Sequence, residues 1–443
     1  MTTSSSSQGL ACIILAAGEG TRMRSGKAKV LHAVAGFPMI AHVKRACESL
    51  SPQKIVAVLA PGAEEVAAAV APHASVVQKE RLGTAHAVLA AKDALKDFKG
   101  RILVVYGDTP LLRPETMSAL VGQKAPMSLL SFESDKPNQY GRVVINDNSV
   151  AEKIVEFADA SEAERAIRHC NAGVMAFDSA LLWELLDAIK PHNKKNEYYL
   201  TDAVGLTRGK NLICGVVTCD EEEALGVNSR TDLSVAEAAF QKRARHYVME
   251  LGVTLHDPAS VYFSADTKLA RDVTVEPHVV FGPGVEVEEG VEIRAFSHLA
   301  GVRVKKNAFV GPFARLRPGT QIGEEAHIGN FVELKKAQVD AGAKINHFSY
   351  VGDAHVGARS NIGAGTIFCN YDGVHKHQTD VGADVFVGSN SSLVAPVTIG
   401  DGATIAAGSV ITENVPADAM GVARARQVNK PGWAKRWRSS KKG

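Results

Sequence analysis

Apolar residues in the second half of the chain return about every sixth position. From Leu269 the run reads LARDVT, VEPHVV, FGPGVE, VEEGVE, IRAFSH. Further on come VGPFAR, LRPGTQ, IGEEAH and IGNFVE, then VGARSN and IGAGTI, and last VGADVF, VGSNSS, LVAPVT, IGDGAT and IAAGSV. Such a period matches neither an amphipathic helix, at about 3.6, nor a lone strand, at about 2. It predicts a parallel β-helix, each repeat being one short strand and a corner. The aliphatic residue points inward, and the small residue after it lets the backbone turn. One repeat cannot bury its own apolar face, so the repeats stack into a prism. Between Leu269 and Pro416, three repeats per coil leave room for roughly eight coils. The segment CNYDGVHKHQTD, 369–380, breaks the period. An insertion in a solenoid becomes a loop on one face, often the binding face.

The first half has a different rhythm. Short apolar runs such as ACIILAA, KIVAVLA and RILVVYGD are bounded by Gly or Pro. Helical patterns lie between them at 39–50, 64–70 and 84–95. Strand–helix alternation with near-continuous apolar strands predicts a mostly parallel α/β sheet. Over 231–251 the apolar positions Leu233, Ala236, Phe240, Ala244, Tyr247, Val248 and Leu251 form one face of a helix. Thr231 is its expected cap and Gly252 its stop. At about 30 Å it is long enough to carry the chain between two domains.

Composition narrows the class. The 443 residues are too many for one core. A net charge of +2 gives no reason to expect a nucleic-acid partner. Basic residues do gather in KPGWAKRWRSSKKG, which reads as a disordered, solubilising end. The six cysteines are scattered without a CxxC pair, as expected of reduced thiols in the cytoplasm. MTTSSSSQG lacks the basic flank of a signal peptide, and no apolar run reaches the roughly 20 residues of a membrane helix.

Candidate chemistry begins where the first strand enters LAAGEGTRM, 15–23. A glycine-rich turn there lets backbone N–H groups approach phosphates, with Arg22 and Lys29 to neutralise charge. Gly18 and Gly20 alone fit a purely structural turn equally well. No Walker lysine follows, and the full GxGxxG of dinucleotide binders is missing. Asp108 closes an apolar strand, where open α/β sheets bind ligands. It reads either as a metal ligand or as a cap before Thr109-Pro110.

The pattern as a whole is more specific. LAAGEGTRM and the lysine of AKVLH are followed in order by VVQKERLGTAHA, VVYGDTPLL, YGRVV, IVE, NAGVM, EYYLTD and GVNSR. Over most of 10–230 the chain resembles the uridyltransferase domain of the bacterial bifunctional N-acetylglucosamine-1-phosphate uridyltransferase / glucosamine-1-phosphate N-acetyltransferase family. The resemblance implies a Rossmann-like nucleotidyltransferase domain over 1–230. It implies nucleotide contacts from Leu15, Ala16, Ala17, Gly18, Gly20, Thr21, Arg22, Lys29, Gln78, Gly83 and Thr84. It implies sugar contacts from Tyr106, Gly107, Gly141, Glu156, Asn171 and Asn228, and Mg²⁺ held by Asp108 and Asn228 with substrate phosphates. Three positions depart from the family. Ala28 stands for a usual proline, Phe157-Ala158 for the His-Lys of HKDA, and Ala172 for the threonine of NTG. The first should loosen the loop that holds Lys29, and the other two bear on sugar specificity.

In the prism, the residues that break the apolar rule decide. FARLRPG carries Arg315 and Arg317, GNFVELKKA carries Glu333 and Lys335, and INHFSYVGD carries His347 and Tyr350. Arg317 and Lys335 are 18 residues apart, one coil of three hexads, and so stack as a phosphate clamp requires. Over 310–426 the chain again resembles the same family, now its acetyltransferase half, whose prism is a left-handed parallel β-helix. The resemblance makes His347 the general base. It assigns Arg317, Lys335, Tyr350, Asn361 and Lys376 to the sugar phosphate. It assigns Ala364, Asn370, Tyr371, Ser389, Ala407 and Arg424 to acetyl-CoA. Zinc on His347, His375 and His377 would need a fourth donor that the sequence does not supply.

The expected molecule is thus a homotrimer of two-domain chains: uridyltransferase 1–230, linker helix 231–251 and hexapeptide-repeat acetyltransferase 252–443. It would make UDP-N-acetylglucosamine for bacterial envelope polymers, peptidoglycan and lipopolysaccharide among them, from glucosamine 1-phosphate, acetyl-CoA and UTP. Two rivals are a single-activity nucleotidyltransferase with an assembling prism, and a non-enzymatic assembly module. His347, Lys335 and the NYDG insertion speak against the first, and GEGTRM with Asp108 and Asn228 against the second.

Overall fold

A computed structural model of the protein describes residues 9–135, 138–146 and 149–441. Most of MTTSSSSQG and the last two residues of the tail lie outside the described residues. The chain divides into two compact units, residues 1–242 and 243–443. The dividing line falls inside the helix Arg230–Glu250.

The first unit is built on strands β1 (Gly9–Ala16), β2 (Lys54–Leu59), β3 (Ala74–Val77), β4 (Gly100–Tyr106), β5 (Met127–Glu133), β6 (Arg142–Ile145), β7 (Ala151–Val155), β8 (His169–Asp178) and β9 (Cys214–Cys219). Their order is β9-β5-β8-β4-β1-β2-β3, with the β6–β7 hairpin joined to β8. Alternation along each strand feeds two cores, one per face. Ala11, Ile13 and Leu15 enter one, while Cys12, Ile14 and Ala16 enter the other. Ile102 and Val104 against Leu103 and Val105 do the same. Both faces are covered by helices, so the strands read as continuous apolar runs.

One detail differs from the sequence expectation. The pattern at 84–95 is two helices, Thr84–Leu89 and Lys92–Leu95. The sheet is mostly parallel, as expected; β8 runs antiparallel to β4 and β5, and the β6–β7 hairpin is antiparallel as well. β2 and β3 lie on one side of β1 and β4 on the other. The crevice of such a sheet opens at that reversal, beyond the carboxyl ends of β1 and β4.

In the second unit the coils form parallel ladders. One face holds ten strands, from Thr254–Leu255 to Met420–Gly421, so the prism begins one coil before Leu269. Val275, Ile293, Val310, Ile328, Ile345, Ile362, Val387 and Ile405 form its buried inner row. The register shows coils of 17 as well as 18 residues: Glu292 pairs with Phe309, and Phe309 with His327. The insertion stretches one coil, since Asn361 pairs with Phe386.

At two of the repeats the glycine after the aliphatic has a reason other than turning. A Cβ on Gly323 would lie 2.5 Å from the Asp340 backbone carbon, and one on Gly388 2.4 Å from the Ala407 nitrogen. The next coil passes too close for any side chain. The turn itself comes further along the repeat, where Glu325 and Phe331 hold φ of 55° each. The basic tail, expected to be disordered, contains the exposed helix Trp433–Ser439. Trp433 and Trp437 stack one turn apart there, their ring centroids 6.1 Å apart.

Candidate active sites

β1 runs into the glycine turn and β4 into Gly107-Asp108. Leu15 pairs with Tyr106, and Gly107 N–H donates to the Leu15 carbonyl at 2.9 Å. Both loops therefore leave the sheet side by side. Leu15, Ala16, Ala17, Gly18, Lys29, Gln78, Gly83, Thr84, Tyr106 and Asp108 line one cleft there, joined by Arg81 and Glu197. Gln78 is buried and donates to the Gly83 carbonyl at 3.2 Å. Gly83, at φ +111°, packs so tightly that a Cβ would lie 2.5 Å from the Tyr198 carbonyl oxygen. Thr84 Oγ1 accepts from Leu200 N–H at 2.9 Å.

The glycines of the first turn divide by cause. Gly20, at φ +65°, would put a Cβ 2.6 Å from Lys29 Cβ. Nothing lies within 4 Å of a Cβ on Gly18, so no protein contact demands glycine there. Arg81 bridges this turn, donating Nε–H to the Ala17 carbonyl at 3.2 Å and pairing with Glu19. Thr21 and Arg22 sit on an exposed turn outside the cleft lining.

Lys29, Asp108 and Asn228 come together from positions far apart in sequence. The Lys29 ammonium pairs with Asp108 Oδ2 and donates to Asn228 Oδ1 at 2.9 Å. Val227 N–H donates to the Asp108 carbonyl at 2.9 Å, so the 226–228 loop is sewn to the end of β4. One carboxylate oxygen and one amide oxygen thus face a common point. This donor set suits Mg²⁺, which takes few protein oxygens and leaves positions for phosphates and water.

A second group lies beside it. Asn171 N–H donates to the Gly141 carbonyl at 2.8 Å, and Gly173 N–H donates to Asn171 Oδ1 at 3.0 Å. Glu156 accepts from Thr201 Oγ1–H at 3.1 Å. Burial pushes the Glu156 carboxyl above its ordinary value, against that hydrogen bond. β8 is irregular between Asn171 and Met175. A Cβ on Gly173 would meet Tyr106 Cε2 at 2.4 Å, and burial raises the Tyr106 phenol. Of the departures, Phe157 lies beneath two guanidiniums, 5.5 Å from Arg142 and 4.7 Å from Arg165. Ala172 is buried, and Ala28 has φ −54° and ψ 138°.

In the prism, one corner carries a column. Phe348 N–H donates to Asn330 O, Gly365 N–H to His347 O, Asn390 N–H to Ala364 O and Gly408 N–H to Ser389 O, at 2.8–3.2 Å. In that register Asn330, His347, Ala364, Ser389 and Ala407 stack one coil apart. His347 Nδ1 lies 2.7 Å from Asn330 Oδ1. An amide oxygen only accepts, so Nδ1–H is the donor of this contact and Nε2 is the nitrogen turned away from Asn330. Below His347 the column continues through the small side chains of Ala364, Ser389 and Ala407. Arg424 is exposed near its far end.

The residues expected to hold the sugar phosphate flank the same corner. Arg317 pairs with Glu333 at 2.9 Å. Lys335 pairs with Asp353 at 3.2 Å, and Asn370 Nδ2–H donates to the same Asp353 oxygen at 2.6 Å. Burial alone would raise the Asp353 carboxyl, but hydrogen bonds from Lys335 and Asn370 hold it below its usual range. Lys376 reaches Lys335 from the insertion, and this contact lowers the Lys376 ammonium. Tyr350 Oη and Asn370 Nδ2 crowd Gly352, where a Cβ would lie 2.5 and 2.8 Å from them. Tyr371 is exposed, its hydroxyl donating to the Gly373 carbonyl at 2.6 Å. Asn361 lies on the His347 face, pairing with Lys344.

Sequence reasoning missed Asn330 and Asp353. Both could have been found by stepping one 17- or 18-residue coil from His347 and Lys335, once the coil length was known.

Comparison with known proteins gives the following. A MobA-like NTP transferase domain matches residues 12–174. The six-repeat bacterial transferase hexapeptide matches residues 301–336 and 379–413. The chain is 52% identical over 435 residues to the bifunctional protein GlmU of Paramagnetospirillum magneticum, covering 97% of each chain. Proteins of the same name from Zymomonas mobilis and Paracoccus denitrificans are 50% and 51% identical over 439 and 431 residues. These span 97% and 96% of this chain, and 98% and 96% of the relatives.

Proposed function

The chain belongs to the family of the bifunctional protein GlmU, and on that premise we propose how its two units share two reactions. It is an enzyme of UDP-N-acetylglucosamine synthesis, both a nucleotidyltransferase and an N-acetyltransferase. The hexapeptide unit acetylates glucosamine 1-phosphate with acetyl-CoA. The N-terminal unit then transfers UMP from UTP to N-acetylglucosamine 1-phosphate and releases pyrophosphate.

In acetyl transfer, Arg317, Lys335 and Lys376 hold the sugar phosphate. Tyr350 and Asn361 hold the ring. The amine attacks the thioester carbonyl carbon while His347 Nε2 takes its proton. The C–S bond breaks, and the CoA sulfur leaves with a proton returned by His347. Asn330 keeps the ring in the tautomer this needs. The column of small residues below His347, past Ala364, Ser389 and Ala407 towards Arg424, receives CoA, with Asn370 and Tyr371 at its side.

In uridyl transfer, a sugar-phosphate oxygen attacks the α-phosphorus of UTP and the bond to the β-phosphate breaks. Positioning and charge neutralisation supply most of the rate. The bare Gly18 turn admits the phosphates against the backbone. Lys29 neutralises them, and Gln78 with the Gly83-Thr84 turn holds the base. Gly141, Glu156, Asn171 and Asn228 hold the amino sugar. Mg²⁺ is the proposed metal, with Asp108 and Asn228 as its protein ligands. When bound it supplies charge neutralisation on the triphosphate.

Assembly as a homotrimer is proposed on the corner beside His347. Phe296, Phe313, Phe331 and Phe348 stack there at 4.9–5.1 Å, each 45–60% exposed. An apolar stripe of that length marks an interaction surface. A cytoplasmic setting follows from the demand for UTP and acetyl-CoA. Among the described residues no helix is long and apolar enough to cross a membrane.

The observation that supports the reading is that Lys29 meets Asp108 and Asn228 in the first unit, while His347 has Asn330 as its partner in the second. Purified protein should release thiol from acetyl-CoA only with glucosamine 1-phosphate. It should release pyrophosphate from UTP only with N-acetylglucosamine 1-phosphate. Thiol release independent of the sugar phosphate would refute the acetyl-transfer assignment.

A further inference from the structure

The Lys29 ammonium stands where a cation is wanted. It pairs with Asp108 Oδ2 and lies 2.9 Å from Asn228 Oδ1, the two oxygens that converge at the end of β4. Its side chain is 12% exposed and that of Asp108 18%, so the pair is largely shielded from water. The cradle is built rather than incidental. Asn228 N–H donates to Asp232 Oδ2 at 3.0 Å, which fixes the start of the helix Arg230–Glu250 beneath the amide. Val227 is tied to the Asp108 carbonyl at 2.9 Å. Lys29 itself opens a short helical turn whose next two residues, Val30 and Leu31, are buried. Gly20 packs on its stem, with room for no Cβ.

A divalent ion cannot use these two oxygens while an ammonium sits between them. Two cations within a few ångströms repel strongly at such partial burial. The triphosphate changes the balance, because its oxygens offer Lys29 another set of anionic partners. We propose that Lys29 fills the cation position of the nucleotide-free protein, so that the divalent ion enters with the triphosphate and not before it. The proposal rests on the reading of Asp108 and Asn228 as metal ligands. It adds a role for Lys29 beyond phosphate contact, as a placeholder that couples metal binding to nucleotide binding. Coupling between sites commonly amounts to about 5–150-fold in affinity.

The test uses Mn²⁺ as probe, with free Mn²⁺ read by electron paramagnetic resonance on the full-length chain. Without nucleotide, Lys29→Met should bind one Mn²⁺ at least about tenfold more tightly than the wild type. Lys29→Gln should behave likewise, which guards against a folding defect in one variant. The gain should vanish in Lys29→Met/Asp108→Ala. Adding UTP should give the wild type a tight site beyond the Mn²⁺ that UTP alone takes up. Equal Mn²⁺ binding by wild type and both Lys29 variants without UTP would overturn the placeholder role. So would a gained site that survives Asp108→Ala. A wild-type site with UTP that Asp108→Ala leaves untouched would instead overturn the metal assignment beneath it.

Discussion

The amide oxygen of Asn330 fixes what His347 can do. By accepting the Nδ1 proton it turns Nε2 away from Asn330, as the proposed base requires. His347→Ala should lower acetyl transfer by roughly 10²–10⁴, with little change in sugar-phosphate affinity measured by calorimetry. Near-normal turnover in His347→Ala would mean the amine needs no protein base. The two glycines at the other site separate fold from function. Gly173→Ala should cost more than about 1 kcal/mol of stability in a denaturant titration, since φ is +79° and Tyr106 blocks the Cβ. Gly18→Ala should leave stability within about 0.5 kcal/mol yet weaken UTP binding, because its Cβ meets only the space a ligand would fill. Gly18 was legible from its motif, but its cause was not. A motif places a glycine without telling whether a neighbour or a ligand excludes the side chain. Arg22 illustrates the reverse, a motif residue that the nucleotide-free fold leaves outside the cleft.

At the scale of elements, the hexad announced the prism because a buried aliphatic must recur once per face. It could not announce where coils shorten to 17 residues, since losing one corner residue leaves the inner row intact. That shortening sets the partner of His347 as Asn330, and sequence spacing alone missed it. The antiparallel β8 was equally hidden, because a strand buried on both faces reads the same in either direction. The ladders also carry a pH-sensitive tie. His355 stands between Asp340 and Asp380, at 2.7 and 2.8 Å. Burial would lower the His355 imidazole, but the two carboxylates outweigh it and raise it above its ordinary value. Its contribution is therefore complete below about pH 6.5, the unfolded value, and is lost as pH rises through the higher folded value. The melting temperature of wild type minus that of His355→Asn should be largest near about pH 6 and should shrink towards about pH 9. A difference that grows with pH would have the wrong sign for this tie.

At the scale of the whole molecule, two sets of cores share no residue. The prism core draws only on positions from Val248 to Val415, while the two faces of the sheet draw only on positions from Ala11 to Ala224. Separate cores let one chain carry two chemistries whose residues can be changed one at a time. The sequence made this division visible through its change of period, from strand–helix alternation to sixes. The helix Arg230–Glu250 that spans the change was legible from its apolar face to within one residue at each end. The central claim, two reactions from two sites, is tested most directly by one paired assay. Asp108→Ala and His347→Ala are each assayed for pyrophosphate release and for thiol release, with folding checked by circular dichroism. Asp108→Ala should lose pyrophosphate release and keep thiol release, and His347→Ala should do the opposite. Loss of both activities in either folded variant, or pyrophosphate release surviving Asp108→Ala, would contradict it.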